Sequence, residues 1–391
     1  MKYSINIYRD KALHSVSFIG LFSLMMLTAC SPETTEETVP DPVEELTPIA
    51  FRSGLANDEE VTRSEGLETK ATSFRVWAYK NMSVDDNNTP NDPSDDDYGV
   101  DGVQTVMPGY TVNYGANTAN TTTSNTNNWE YVNQQSSGQE EQQSLGQEEQ
   151  TIKYWDWSAK AYRFFGVTDL TTVPSEASAT QSFTIAVNTS SPENIAATPY
   201  FSHLWFSTGN RIDYPTRQFG QPVELEFLKP IAQVRIKFIF VEGLGIDRTQ
   251  LDAISFRPTD ANKDIAIAGN ITITYPLSGK DTKESFTSSP TGFLTDNNHR
   301  GIILDSYEGN DNWYNVLPRD AQDSYTLSVV VVGGEPQTCV VPAEYMTWAP
   351  GYQYTYIFKI METGGVTLEG IQVAINDWTI KEKIEHPVYN W

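Results

Sequence analysis

Ile231-Ala232-Gln233-Val234-Arg235-Ile236-Lys237-Phe238-Ile239-Phe240-Val241 decides the fold class of this chain. Val234, Ile236, Phe238 and Phe240 alternate with Gln233, Arg235, Lys237 and Ile239, the period of two that belongs to a β-strand with one buried face. Just upstream, Val223, Leu225 and Phe227 alternate with Glu224 and Glu226, and Lys229-Pro230 ends that run because proline cannot donate to a sheet. The same pattern extends outward in both directions. Downstream it predicts strands over 253–256, 266–275, 301–304, 325–332, 338–341, 353–360 and 366–375. Upstream it predicts strands over 73–80, 161–167, 181–187 and 200–208, and a short one carrying Ile49 and Phe51. Gly, Pro, Asn and Asp punctuate the gaps, and no long 3.6-residue period follows the first thirty residues, so the pattern argues an all-β sandwich architecture.

The N-terminus reads differently. Lys2, Arg9 and Lys11 precede an apolar run, Val16 to Leu27, which suits a signal peptide and is too short to span a bilayer. Leu27-Thr28-Ala29-Cys30 matches a bacterial lipobox, so residues 1–29 are expected to be a lipoprotein signal peptide and Cys30 the acylated N-terminus. Residues 30–45, rich in Glu, Thr and Pro, read as a disordered tether. The remaining length suits two domains, drawn at 46–216 and 217–391 with the polar link Pro215 to Pro222 at the boundary. Residues 113–150, with Asn/Thr runs and a duplicated Gly-Gln-Glu-Glu-Gln, read as a low-complexity insertion in the first domain that should be exposed.

Lys and Arg number 26 against 51 Asp and Glu, a net charge of −25 that argues against nucleic acid and anionic lipid surfaces as partners. With Cys30 acylated, Cys339 is the one remaining thiol, no intramolecular disulfide forms, and Cys339 reads as an inert buried side chain in an apolar strand. Four scattered histidines, at 14, 203, 299 and 386, are thin for metal or acid–base chemistry. The Asp/Asn-rich loop over 81–102 offers clustered carboxylates, but not the spacing of a calcium-binding EF-hand loop, so a solvated loop is preferred and no metal site is assigned. No nucleophile elbow, phosphate loop or zinc helix is present, no cofactor is expected, and the chain reads as a non-enzyme. Trp155 and Trp157 would share a strand face, as core or, with Trp129, as a sugar-stacking platform.

Several segments then fall in a familiar order. After the lipobox come Phe51 to Arg63, Phe74-Arg75-Val76-Trp77-Ala78-Tyr79, Tyr162-Arg163-Phe164-Phe165-Gly166 and Val223-Glu224-Leu225-Glu226-Phe227. Ala349-Pro350-Gly351-Tyr352-Gln353-Tyr354 and Val373-Ala374-Ile375-Asn376-Asp377-Trp378 complete the series. Together the chain resembles the fimbrillin family of type V pilus subunits over nearly its whole mature length. That resemblance implies two tandem transthyretin-like Greek-key β-sandwich domains. It also implies export as a lipoprotein to the outer-membrane surface and assembly into a fimbrium with other pilus subunits. An arginine-specific protease would cut after the first strand, at Arg63 or, less accessibly, at Arg52, and a neighbour's strand would fill the groove so opened. Val366, Leu368, Ile371, Val373, Ile375 and Trp378, within the possible donor segment 366–391, are spaced to be that strand or to complete their own sheet. A host or bacterial surface ligand would fit an adhesin role. The rival reading is an outer-surface glycan-binding lipoprotein using the tryptophan platform, and a glycoside hydrolase is a weaker third.

Overall fold

The computed structural model describes residues 46–375 except 56–66, 68–69, 89–95, 116–120, 133–149, 169–179, 208–218, 242–249, 280–284, 297–298, 307–312, 321–322, 332 and 362–364. The segments expected as signal peptide and tether, Cys30, Arg63, Trp378 and the tail from 376 lie outside the described residues. The first half contains β1 (Phe51–Leu55), β2 (Ser73–Asn81), β3 (Val103–Tyr114), β4 (Trp129–Glu130), β5 (Ala161–Val167), β6 (Thr180–Asn188), a short helix α1 (Pro192–Ala197) and β7 (Phe201–Ser207). Then come β8 (Val223–Phe227), β9 (Ala232–Phe240), β10 (Leu251–Pro258), β11 (Ala266–Pro276), β12 (Ser285–Phe293), β13 (Thr295–Asp296) and β14 (His299–Arg300). The chain continues through β15 (Ile302–Ser306), β16 (Tyr314–Val316), β17 (Tyr325–Val331), β18 (Gln337–Val341), β19 (Tyr352–Ile360) and β20 (Val366–Ile375). The protein is all-β, as the alternation of its sequence requires, and among the described residues no helix is long and apolar enough to cross a membrane.

A five-stranded sheet, β4-β3-β2-β5-β7, is apolar on both faces. Along β2, Phe74, Val76 and Ala78 enter one core while Trp77 and Tyr79 enter another, because successive side chains of a strand point to opposite faces. The first core is closed by the parallel pair β1-β8, and the second by the sheet β12-β11-β6. A third core lies between the sheets β15-β10-β17-β18 and β16-β9-β19-β20, with Trp348, Tyr356, Phe256 and Tyr325 at its centre.

Packing joins strands from the two sides of position 216/217. Val223, Leu225 and Phe227 of β8 fill the first core, since the apolar face of this strand pairs with β1 and meets Phe74. β6, from the first half, pairs along its whole length with β11 of the second. Asn81 Nδ2 donates to the Leu277 carbonyl at 2.8 Å, and the fully buried Arg163 donates to the Pro276 carbonyl, so two polar side chains of the first sheet satisfy the end of β11. The buried Lys229 caps α1, donating to the Ala196 and Thr198 carbonyls at 3.0 Å each, where a cation complements the helix C-terminus.

The reading of 113–150 as one exposed insertion is corrected at its centre: Trp129, Glu130, Tyr131 and Val132 are buried in the first core, because this short apolar cluster supplies rings that the edge of the sheet needs. Residues 133–149, with the Gln/Glu duplication, lie outside the described residues.

Candidate functional site: the groove of the N-terminal strand

The strand with the most unusual setting is β1. It pairs in parallel with β8, Phe51 beside Val223, Ser53 beside Leu225 and Leu55 beside Phe227, although 172 residues separate each partner from its mate. The residues leading into β1 are held on the other side. Ile49 N donates to the Lys153 carbonyl at 2.7 Å, Trp155 N donates to the Thr47 carbonyl at 3.0 Å, and Pro48 bridges Tyr154. The N-terminal segment therefore threads between β8 and 153–155 as an extended insert.

Two side chains anchor it. Ile49 and Phe51 are 0% and 1% exposed, and the Phe51 ring meets Phe74, Tyr131 and Phe164 edge-on at centroid distances of 6.1, 5.9 and 6.1 Å. Such edge-to-face contacts add to the area term, itself about 1.5–3 kcal/mol for each large apolar side chain buried. Phe227 closes the floor against Phe74 at 5.1 Å.

A polar knot shapes one wall. Glu130 is fully buried, and its carboxylate accepts from Thr122 N at 2.8 Å and from Ser124 Oγ, Tyr131 N and Val132 N at 2.9 Å each. Those donors hold the turn after β4 and so place Tyr131, whose hydroxyl donates to the Ile49 carbonyl at 2.9 Å and accepts from Lys153 N at 3.0 Å. Burial pushes the Tyr131 hydroxyl well above its usual range, so it stays a donor to β1. Gln150 ties the other end of the excursion back, exchanging bonds with Thr111 N at 2.7 Å and the Thr111 carbonyl at 2.9 Å and donating to the Tyr131 carbonyl. Beyond it, Lys80 binds Asp156 at 2.5 Å and, with Ser158, holds that carboxyl down at about 2.

Arg52, the alternative cut site, is exposed on β1 beside Glu224. Val366, Leu368, Ile371, Val373 and Ile375 lie on β20, paired antiparallel with β19; Val366 and Ile371 are buried in the third core and Leu368 and Val373 pack against it. In this chain they complete their own sheet. Trp129 and Trp155 are core residues, 2% and 3% exposed, whereas Trp157 is 50% exposed against Phe219, so the two neighbouring tryptophans do not share a face and no three-tryptophan platform exists. The bridge at Tyr154 ends before Trp157, which sits in a turn, and that removes the strand alternation on which a shared face depended. Cys339, on β18, is half-buried rather than buried, because this edge strand has exposed neighbours on either side, and its thiol is pushed up by desolvation, which lowers the thiolate fraction. Among the described residues no cluster of His, Cys, Asp or Glu is arranged to hold a metal ion.

Tyr131, Glu130 and the pairing of β1 with β8 are absent from the sequence-derived candidates. The cluster Trp129 to Val132 in polar surroundings was the available signal.

A fimbrillin-like family model matches residues 110–378. Among solved structures, the chain is similar to a candidate cell adhesion protein of Bacteroides ovatus, 13% identical, covering 86% of this chain and 99% of that one with a TM-score of 0.37. A fimbrial protein of Bacteroides vulgatus is 13% identical over 83% of this chain and 99% of its own, at a TM-score of 0.34. A C-terminally truncated tip fimbrial protein of Porphyromonas gingivalis is 8% identical over 78% and 94%, at 0.30. No match was found among the curated proteins.

Proposed function

This chain belongs to the fimbrillin-like family, and on that premise we propose that it is a structural subunit or associated adhesin of a type V pilus, assembled by protease-triggered strand exchange. The observation that carries the proposal is the seating of β1: a five-residue strand, anchored by Ile49 and Phe51, fills a groove in the first core and is separated from β2 by a single connection. Arg63 lies in that connection, between Leu55 and Ser73, so one cut there severs β1 from the rest of the chain and leaves the remaining strands intact. Loss of β1 would leave the edge of β8 unpaired and Phe74, Tyr131 and Phe164 exposed, and both are strongly driven to find a replacement.

In this reading the precursor is exported as a lipoprotein acylated at Cys30 and held at the outer-membrane surface until the cut releases residues 30–63. The replacement is the C-terminal segment of a neighbouring subunit, with Val366, Leu368, Ile371, Val373, Ile375 and Trp378 as its apolar positions. Its partners are other pilus subunits, and its role is mechanical and adhesive, without catalysis.

Treatment of the full chain with a trypsin-like protease tests the proposal. Cleavage after Arg63 is expected to convert a monomer into a form that assembles, and Arg63→Ala under the same conditions is expected to stay monomeric. Assembly of Arg63→Ala at the parent's rate would exclude Arg63 as the trigger, and a cleaved parent that stays monomeric would exclude strand exchange.

A further inference from the structure

Ser53 does not fit the groove it occupies. The inward positions of the N-terminal segment are Ile49, Phe51 and Ser53, with Arg52 exposed between the last two. The first two are buried and apolar, but the Oγ of Ser53 is buried with no hydrogen-bond partner. Its neighbour across the parallel pairing is Leu225, 0% exposed, and the next inward residue of β8 is Phe227, so the lining offers a hydroxyl nothing to bind. Other buried or half-buried hydroxyls around the groove are satisfied: Tyr131 on the Ile49 carbonyl, Tyr162 by Asp156 N at 2.8 Å, and Ser124 on Glu130. An unpartnered buried hydroxyl is destabilising, and Gly54 directly after it weakens the strand further.

We propose that the third position of the groove, beside Leu225, is a subsite for an aliphatic side chain, which the resident strand fills poorly and a second copy of this chain fills well. The inference rests on the strand-exchange reading above. Ile371, Val373 and Ile375 repeat the i, i+2, i+4 spacing of Ile49, Phe51 and Ser53, so a strand from another copy, set in the register of β1 on β8, brings Ile375 to the subsite. Pockets for alternate side chains then select the incoming strand, while main-chain bonds to β8 supply sequence-independent affinity. The mismatch at Ser53 gives the exchange its direction.

Valine and threonine have nearly the same shape and differ by the hydroxyl, so they isolate the effect. In the uncut full chain, amides of β1 are expected to exchange hydrogen about tenfold or more slowly in Ser53→Val than in Ser53→Thr. Equal exchange, or faster exchange in Ser53→Val, overturns the subsite. The second arm uses the full chain cut after Arg63 and synthetic peptides spanning residues 369–377 that carry Ile375→Val or Ile375→Thr, with release of residues 30–63 followed by mass spectrometry. The valine peptide is expected to displace the resident strand at an about tenfold lower concentration. Equal potency overturns the subsite as a selector. If neither peptide displaces the strand while the exchange difference persists, the apolar subsite stands and the strand-exchange reading, with its second-copy occupant, falls.

Discussion

β1 and β20 are both edge strands with apolar inward faces, yet they are held in opposite ways. β1 pairs with one strand, in parallel, over five positions, and depends on Ile49 and Phe51 plus a few bonds from Tyr131, Lys153 and Trp155. β20 pairs antiparallel over nine positions with β19 and adds Val366, Leu368, Ile371 and Val373 to the third core. Parallel pairing is slightly weaker per residue, and a short ladder with two anchors can open without its sheet opening. The contrast makes β1 the strand that leaves readily and β20 one whose release opens part of the third core. If β20 also serves as a donor, its release from β19 is the larger barrier.

Substitution of the anchors should break this contrast most visibly. Phe51→Ala, losing a ring set among three others, is expected to cost about 3–5 kcal/mol in the docking of β1, and Ile371→Ala about 2–5 kcal/mol in the third core. The two should differ in where the loss appears. Phe51→Ala should abolish amide protection at β1 while leaving the urea midpoint of the β19–β20 sheet in place, and Ile371→Ala should lower that midpoint.

Glu130→Ala comes next. It strands the donors at Thr122, Ser124, Tyr131 and Val132, an expected loss of about 2–3 kcal/mol, with β1 protection falling alongside because Tyr131 is no longer placed. At the β20 edge, breaking the Lys359–Glu369 pair, 3.7 Å apart and about one-third exposed at each end, should cost under about 1 kcal/mol and leave β1 unaffected.

Acid should separate the two faces of the five-stranded sheet. His203, on the face away from β1, stacks on Phe165 at 5.0 Å and lies 4.4 Å from Tyr275; burial first, and then the Arg163 charge, push its titration down to about 3. Because the folded value lies below the unfolded one, the contribution is complete above about pH 6.5 and is lost as pH falls towards 3, by up to about 1.4 kcal/mol per pH unit. His203→Gln should flatten this dependence between pH 6 and 4 in denaturant titrations. The loss at Asp156, on the groove side, should begin only below about pH 4 and run towards 2. Tyr131→Phe removes the bond to Ile49 and should cost about 1 kcal/mol, read as faster exchange at Ile49 and Phe51.

How much of this was legible in the sequence varies with the range of the interaction. The bounds of Ala161–Val167, Val223–Phe227 and Val366–Ile375 coincide with those read from the sequence because each strand carries its own run of apolar and aromatic side chains. β3 escaped notice because Pro108-Gly109 interrupts it; Gly109, at φ +89°, lies where a Cβ would meet the Trp77 ring at 3.0 Å, and the strand continues past the irregularity. β12 escaped because it is an edge strand of Ser and Thr with Pro290, whose outward face has no apolar signal. The candidate site was half legible. Ile49 and Phe51 mark an inserting strand, but its partner lies far along the chain; the misfit at Ser53 exists only once β1 and β8 are paired, and the knot at Glu130 closes within residues 122–132 with no motif to mark it.

Hydrogen exchange of the intact, uncut chain tests most directly whether β1 opens independently of the sandwich it fills. Amides of Phe51–Leu55 should exchange through an opening at least about 2 kcal/mol easier than that of β2, β5 and β20, with little dependence on urea. Exchange of β1 at the global rate, with the same urea dependence as β20, would contradict the account.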